Sequence, residues 1–457
     1  MKSLLLSCLV TAAAFCAAPA ATPPSKPNVI FILADDLGYG DLGCFGQKLI
    51  KTPNIDRLAA EGMRFTQAYA GTTVCAPSRC TLMTGKHTGH CFIRGNKEIP
   101  PEGQQPMPGD TFTVAHLMKK AGYTTGLVGK WGLGKPDSES TPDKMGFDYF
   151  FGYNCQMKAH EYYPEYLWRN NEKVMLEGKA YSHDLMAQEA LDFVKRNAQK
   201  PFFLYLAFTI PHAKVQVPDL GPYENETWEP NLKKLAAMIT RMDRDVGRLM
   251  ALLRELKLDE QTLVFFASDN GAAYSDKLFN HSGPLRGIKR DMYEGGLRSP
   301  SMARWPGHIQ ASQVSEQVWA FWDILPTMAE LTGQTVPAGM DGISILPALL
   351  TGKRLEHPPL YFEFHERGFT QAARIGDWKA VRLGLKLPIE LYDMKTDAAE
   401  QHDVAAQQPE VVKRFEKYLK TARVDSEIWP IRERGNAAGQ GKKKKGGNAR
   451  KAGGSVE

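Results

Sequence analysis

Apolar and polar positions along the chain alternate in blocks that predict an α/β fold. After its first residue, the run Asn28-Val29-Ile30-Phe31-Ile32-Leu33-Ala34 has no polar break, as a central strand covered on both faces requires. A second such run occupies 262–267. Between them the pattern predicts a helix over 55–61, capped by Asn54 and stopped by Gly62, and a strand over 63–70. A helix over 114–121 and a strand over 123–128 follow. Next come a capped amphipathic helix over 182–198, with Met186, Ala190, Phe193 and Val194 on one side, and a strand over 202–208. Leu235, Ile239, Met242, Val246, Leu249, Leu253 and Leu256 repeat in steps of four and three. A coiled-coil seam and a helix lying on a sheet share that spacing; the neighbouring strand at 262 favours the helix on a sheet.

A Pro- and Gly-containing stretch at 346–359 marks a boundary, followed by strands over 360–364 and 378–383 and a helix over 409–421. The expected division is a main α/β unit over 27–350 and a smaller one over 355–430, which 457 residues can accommodate. The stretch 147–166 is dense in aromatics, with Asn154, His160 and Glu161 among them and Trp168-Arg169 just beyond. It reads equally as a platform for sugar rings or as a loop packed on the domain.

The ends change the picture of composition. Residues 1–21, with Lys2, a short apolar centre and Ala-rich exits, read as a secretory signal peptide. The run is broken by Ser7, Thr11 and Pro19, so a membrane anchor fits less well, as does a lipoprotein modified at Cys8. The formal charge of +6 resides at the ends too: Lys2, and Lys442 to Lys445, Arg450 and Lys451 against Glu457, account for the whole excess. The basic balance therefore reports a disordered tail over 435–457, and gives no reason to expect a nucleic-acid partner. Outside the signal and Cys75, the cysteines are Cys44, Cys80, Cys91 and Cys155, for which sequence fixes no pairing.

Candidate chemistry gathers where strands end. Asp35-Asp36 follows the first apolar run and Asp269-Asn270 the second, the positions at which open α/β sheets place their ligands. Three carboxylates and an amide are all oxygen donors and suit a hard cation such as Ca²⁺. Cys75-Ala76-Pro77-Ser78-Arg79 has no second cysteine at metal or redox spacing. Pro77 and the following Ser-Arg predict a helix opening just behind the cysteine, with Arg79 as a bidentate cation, so the stretch reads as a nucleophile facing an oxyanion.

Cys-x-Pro-Ser-Arg followed by Leu82-Met83-Thr84-Gly85 resembles the signature of the type I sulfatases, within the alkaline-phosphatase superfamily. The resemblance spans roughly 28–429. It implies a large mixed, mostly parallel sheet with helices on both faces, closed by a small antiparallel C-terminal sheet with one helix. It also implies that a maturation enzyme converts Cys75 to formylglycine before folding, and that Asp35, Asp36, Asp269, Asn270 and the Cys75-derived oxygen bind one Ca²⁺. Arg79 would favour the oxyanion, Lys130 in Gly129-Lys130-Trp131 and Lys289 in Gly287-Ile288-Lys289 would hold sulfate, and His212 would protonate the leaving group.

The chain departs from the pattern at Gly132, where many relatives carry His; His87, His90 and His160 are the substitutes to consider. The run His87 to Asn96, including Arg94, resembles sulfatases of galactose-type sugars, and with His160, Trp168 and Arg169 it is the expected sugar-binding set. The implied protein is an exported sulfatase, periplasmic or secreted, acting on a sulfated galactan or glycosaminoglycan. A formylglycine-dependent phosphoester or phosphonate hydrolase, or a catalytically silent glycan binder, are the alternatives.

Overall fold

The computed structural model describes residues 26–212 and 214–433. The expected signal peptide, the Cys8 alternative and the basic tail lie outside the described residues.

A ten-stranded sheet forms the centre. Its middle five strands are parallel, in the order Thr262–Ser268, Asn28–Ala34, Phe202–Ala207, Thr124–Lys130 and Tyr149–Tyr153. Ser301–Arg304 runs antiparallel beside Thr262–Ser268, and Tyr166–Arg169 and Glu172–Met175 extend the opposite edge. Along Asn28–Ala34 alternate side chains enter two cores. Val29, Phe31 and Leu33 pack with the helices Cys75–Thr84, Val114–Lys120 and Ile324–Thr332. Ile30, Ile32 and Ala34 pack with Pro53–Ala60, Ser182–Asn197 and Pro230–Glu255. Burying each of these larger aliphatic or aromatic side chains stabilises by about 1.5–3 kcal/mol, which explains why the strand tolerates no polar residue.

The seven-membered apolar stripe thus belongs to a helix on the sheet, Pro230–Glu255, with Leu235, Ile239, Met242, Val246, Leu249 and Leu253 buried. Asn54 is no cap: it lies inside Pro53–Ala60, whose first N–H groups and Asn54 Nδ2 are taken by the Asp243 carboxylate from that long helix at 2.7–2.9 Å. Ser182 is likewise inside its helix, which starts from Tyr181 without a side-chain cap. The strand expected over 63–70 is two short ones, Met63–Phe65 and Ala68–Tyr69, in different sheets.

A separate antiparallel sheet runs Leu360–Phe364, Thr370–Ile375, Trp378–Arg382 and Glu390–Asp393. One face covers the helix Pro409–Thr421 through Phe415 and Leu419. The other packs Leu360, Phe362 and Phe364 on Tyr69, Val74, Leu297 and Trp322 of the larger body. A sheet apolar on both faces is held between a helix and a domain, and here that fixes it beside the turn leading into Cys75.

Candidate active site

Four parallel strands deliver their carboxyl ends to one place. Ala34 and Ser268 are in register, so Asp35-Asp36 and Asp269-Asn270 leave the sheet side by side, with Asp269 N–H donating to the Ala34 carbonyl at 3.1 Å. Lys130 ends the strand Thr124–Lys130, and His212 follows Phe202–Ala207 by way of Pro211. Asp36 adopts a left-handed backbone, φ 65°. Such a conformation costs of order 1–3 kcal/mol in a non-glycine residue and is tolerated where the surroundings impose it.

Cys75 opens the helix Cys75–Thr84, so the sequence-based boundary moves: the helix starts at the cysteine, and Pro77 sits in its first turn, where no backbone donor is needed. Only 2% of Cys75 is exposed. Its Sγ lies 3.3 Å from Asp35 Oδ1, 3.9 Å from Asp36 Oδ1 and 3.6 Å from Lys289 Nζ. Burial, then the charges of Asp269 and Asp35, push the thiol well above its ordinary range. As a cysteine this side chain stays protonated and unreactive at neutral pH. Ser78 and Thr81 serve the turn: Ser78 Oγ accepts from the Gly71 N–H at 2.9 Å, and Thr81 Oγ1 donates to the Ser78 carbonyl at 2.7 Å.

Around the thiol, carboxylates and cations interlock. Lys130 Nζ donates to Asp35 Oδ2 and Lys289 Nζ to Asp36 Oδ2, each at 2.7 Å. Burial alone would raise both carboxylates, but Lys130 and Lys289 outweigh it and hold them below the usual range. Asp269 differs: burial and the neighbouring charge of Asp35 push it up to about 6, although Arg79 Nε and Nη2 donate to its Oδ2 at 3.0 and 2.8 Å. Arg79 is fully buried and its Nη1 donates to the Lys130 carbonyl at 2.9 Å. From behind the hollow described next it grips Asp269 and lies 3.9 Å from Asp35 Oδ2, so its charge acts on the cluster, Cys75 included, while its fork orients a carboxylate.

A hollow of about 660 Å³ opens onto Asp36, Cys75, His212 and Lys289. A larger one, at His357 and Arg374, contains none of these groups. His212 Nε2 lies 3.3 Å from both Asp36 Oδ2 and Lys289 Nζ. Its ring stacks on His160 with centroids 3.9 Å apart and 6° between planes. Burial lowers His212, and burial with the Lys130 charge pushes His160 down to about 2, so His160 is a neutral ring at the hollow's edge.

The oxygen donors fit a hard cation. Asp35, Asp36, Cys75 and His212 bring ligand atoms within 4.8 Å of one another. Asn270 Nδ2 is used, donating to Asp36 Oδ1 at 2.7 Å, while its buried Oδ1 has no partner among the described residues. An orphaned buried carbonyl oxygen beside three carboxylates has the chemistry of a Ca²⁺ ligand.

Gly132 has a structural explanation. Its φ is +71°, and a Cβ there would come 2.3 Å from Gln156 Nε2. The space a side chain at 132 would use holds Gln156, which lines the hollow. Of the three histidines considered as substitutes, only His160 is at the hollow. His87 and His90 stack on each other at 4.4 Å and share the Asp341 carboxylate, tying the end of the Cys75 helix to a later loop. Arg94 is buried against Glu363 Oε1 at 2.9 Å and the Val424 carbonyl at 2.8 Å.

Trp168 and Arg169 lie on the strand next to the edge of the sheet, their side chains committed to Glu102 and Glu189. The aromatics of 147–166 are largely interior: Phe150, Phe151, Tyr153 and Tyr162 belong to the cores, and no aromatic ring other than imidazole lines the hollow among the described residues. His87, His90, Arg94, Trp168 and Arg169 thus do not line this hollow; His90 and Arg94 line a separate one. Asn96, Glu98, Gln156, Arg290 and Glu366 form part of its wall. They come from four separate segments; Asn96 closes the run His87 to Asn96, Gln156 lies in the aromatic stretch and Arg290 adjoins Lys289, whereas Glu98 and Glu366 had no such signal.

A model of the Sulfatase family matches residues 27–334, and one of the N-sulphoglucosamine sulphohydrolase C-terminal region matches 288–425. Human N-acetylgalactosamine-6-sulfatase is 37% identical over 387 residues, covering 78% of this chain and 72% of that one. Human arylsulfatase A is 31% identical over 474 residues, covering 88% and 89%. Among solved structures, Ps i-CgsB in complex with k-i-k-neocarrahexaose superposes with a TM-score of 0.78 at 30% identity, covering 89% of this chain and 95% of that one. The family match, these relatives and the alkaline-phosphatase-like fold agree: the chain belongs to the sulfatase family, whose members hydrolyse sulfuric esters.

Proposed function

We propose that this protein is a formylglycine- and Ca²⁺-dependent sulfatase that removes sulfate from a galactose-type unit of a sulfated galactan or glycosaminoglycan. The observation that carries the reading is Cys75: a protonated, unreactive thiol held at a helix N-terminus among three carboxylates, two lysines and a histidine. Such a setting makes little sense for a cysteine that acts as itself, and good sense for one that is converted before folding by a maturation enzyme. When present, the hydrated aldehyde and the ion supply an oxygen nucleophile for sulfur and the positive charge that keeps it ionised.

The rest falls to this chain's side chains. Asp35, Asp36, Asp269 and Asn270 Oδ1 hold the ion, with Arg79 orienting Asp269. Lys289, facing the hollow, and Lys130, behind Asp35, offset the charge of the sulfate oxygens, a preorganised electrostatic contribution that needs no rearrangement during reaction. His212, in its imidazolium form once the bound sulfate's charge opposes the burial that lowers it, gives its Nε2 proton to the departing sugar oxygen and is left neutral. Stacking on neutral His160 fixes its ring plane. The galactose-type substrate draws support from human N-acetylgalactosamine-6-sulfatase and from the carbohydrate complex of Ps i-CgsB. Export rests on the leader at 1–21; among the described residues no helix is long and apolar enough to cross a membrane.

Mass spectrometry of the peptide containing Cys75, from protein made with a maturation system, tests the nucleophile: an aldehyde or its hydrate is expected, and an intact thiol overturns the mechanism. Kinetics on matched sulfate and phosphate esters of one sugar test the reaction. Faster phosphate turnover would assign the site to phosphoesters.

A further inference from the structure

The wall of the hollow above Cys75 has a second side. Asn96 and Glu366 line it, and both also line an adjacent hollow of about 260 Å³, whose remaining residues include Lys97, Trp429 and Arg432. This shared wall is braced against the reaction centre. Asn96 Oδ1 accepts from the Ala76 N–H at 3.1 Å, one residue past Cys75. Glu366 accepts from the Asn96 N–H at 3.0 Å and from Arg290 Nε at 3.3 Å. Arg290 itself sits at φ 78°, a left-handed backbone rare for a residue with a side chain.

The two hollows differ in charge. At the inner rim Glu98 and Glu366 face one guanidinium, Arg290, which is already paired with Glu366. At the outer hollow Lys97 and Arg432 are exposed, and neither has an ion-pair partner among the described residues. Trp429 is anchored there by its indole N–H, which donates to the Phe92 carbonyl at 2.9 Å, leaving its ring carbons to line the hollow. Gly95 permits this, since a Cβ at that position would come 2.7 Å from the Trp429 ring. The edge of a largely buried tryptophan and two exposed cations, beside a Glu366 already paired with Arg290 and one wall away from a sulfate-cleaving centre, suit an anionic sugar ring.

We propose that the outer hollow is a second subsite, which takes the sugar unit next to the sulfated one, with Lys97 and Arg432 holding a sulfate or carboxylate on that unit. This rests on the sulfatase reading of the inner hollow. The preferred substrate is then a glycan of at least two units whose anionic neighbour sits one ring away from the ester being cleaved. A second anion on the cleaved unit itself meets the acidic inner rim and is disfavoured.

Calorimetry on the full chain reads this subsite without turnover. The probes are a desulfated disaccharide of a galactosamine-type unit and a uronate, and its counterpart with a neutral neighbour. At low salt the acidic disaccharide is expected to bind about 10-fold tighter, and the preference should fall to within about 2-fold near 0.5 M NaCl, because exposed ion pairs are screened. Lys97→Ala/Arg432→Ala should abolish the preference and Lys97→Arg/Arg432→Lys should keep it. The ratio of kcat/KM for the corresponding sulfated disaccharides should move in parallel. Equal binding of the two probes, or a preference that survives the double alanine variant, overturns the subsite. Selective binding without turnover of any sulfate ester leaves the subsite standing and overturns the sulfatase reading; aryl sulfate turnover with equal probe binding does the reverse.

Discussion

At the scale of single residues, His212 and Gly132 make separable predictions. A group that protonates a leaving oxygen matters in proportion to how poor that leaving group is. His212→Ala is therefore expected to lower kcat for a sugar sulfate by about 10²–10⁴-fold, and for a nitrophenyl sulfate by much less; equal losses on both would remove the acid role. Gly132→Ala meets two penalties, a left-handed φ of +71° and contact with Gln156 Nε2 at 2.3 Å. We expect it to cost about 1–2 kcal/mol of stability from the backbone alone, plus the displacement of Gln156. Because the glutamine is a flexible neighbour, Gln156→Ala should recover the contact part and leave the backbone part. Thermal melts of the two single variants and the pair should show that coupling; strict additivity would mean Gln156 does not fill the space.

The same scale shows what sequence could reveal. Asp35, Asp36, Cys75, Lys130, His212, Asp269, Asn270 and Lys289 were legible because each ends or follows an apolar strand, or lies in a short motif. Glu98 and Glu366 were not, because nothing local distinguishes a polar loop residue that faces the hollow from one that faces water. His87, His90 and Arg94 misled for the opposite reason: they adjoin the signature in sequence, yet the chain turns, and they bind Asp341 and Glu363.

At the scale of elements, period and length predicted the strands Asn28–Ala34, Thr262–Ser268 and Leu360–Phe364 and the helix Pro409–Thr421 closely. The last two strands at one end of the sheet, Tyr166–Arg169 and Glu172–Met175, and the hairpin partner Thr370–Ile375 escaped notice, being short or mixed in polarity. Leu360–Phe364, at the edge of the small sheet, also carries a buried carboxylate, Glu363, which joins that sheet to the segment after the signature through Arg94. Burial alone would raise it, but His365, Arg94 and Arg423 hold it down to about 2. Because its folded value lies below the ordinary 4.5, the contribution is complete above that pH and is lost as pH falls from about 4.5 towards 2. The charge is worth on the order of 3 kcal/mol at neutral pH. Glu363→Gln should thus destabilise strongly at pH 7, by about 3–5 kcal/mol, as buried Arg94 loses its carboxylate partner and half-buried Arg423 keeps only Asp425, and the gap to the parent should narrow between pH 5 and pH 3 in chemical denaturation. A gap independent of pH would mean that the carboxylate contributes through shape alone.

At the scale of the whole molecule, the sheet converts sequence distance into contact. Asp36 and Asn270 are joined at 2.7 Å across 234 positions, and Lys289 reaches Asp36 across 253. We propose the unit boundaries near 350 and 355 as a division of the chain rather than of its core, since Leu360 and Phe362 share one apolar cluster with Tyr69 and Trp322. The carboxylates and their cations tie strand ends from across the sheet into one buried network, and Asn270 Oδ1 is its unmet acceptor. An ion that binds this folded arrangement and not the unfolded chain must stabilise the whole body, by about 2.7 kcal/mol at a hundredfold excess over Kd. For a body of roughly 400 residues, whose unfolding entropy at about 2.1 cal/mol/K per residue is about 0.8 kcal/mol/K, that corresponds to a rise in Tm of about 3 °C. Chelator-stripped protein should therefore melt lower and recover with Ca²⁺. Mg²⁺ should restore less, because it demands a tighter octahedral shell than this oxygen set provides. Asn270→Ala should melt at nearly the same temperature with or without Ca²⁺. A Tm indifferent to chelation and to Ca²⁺ in the parent protein would mean that the lysines and arginine already satisfy the carboxylates, and that the cluster holds no ion.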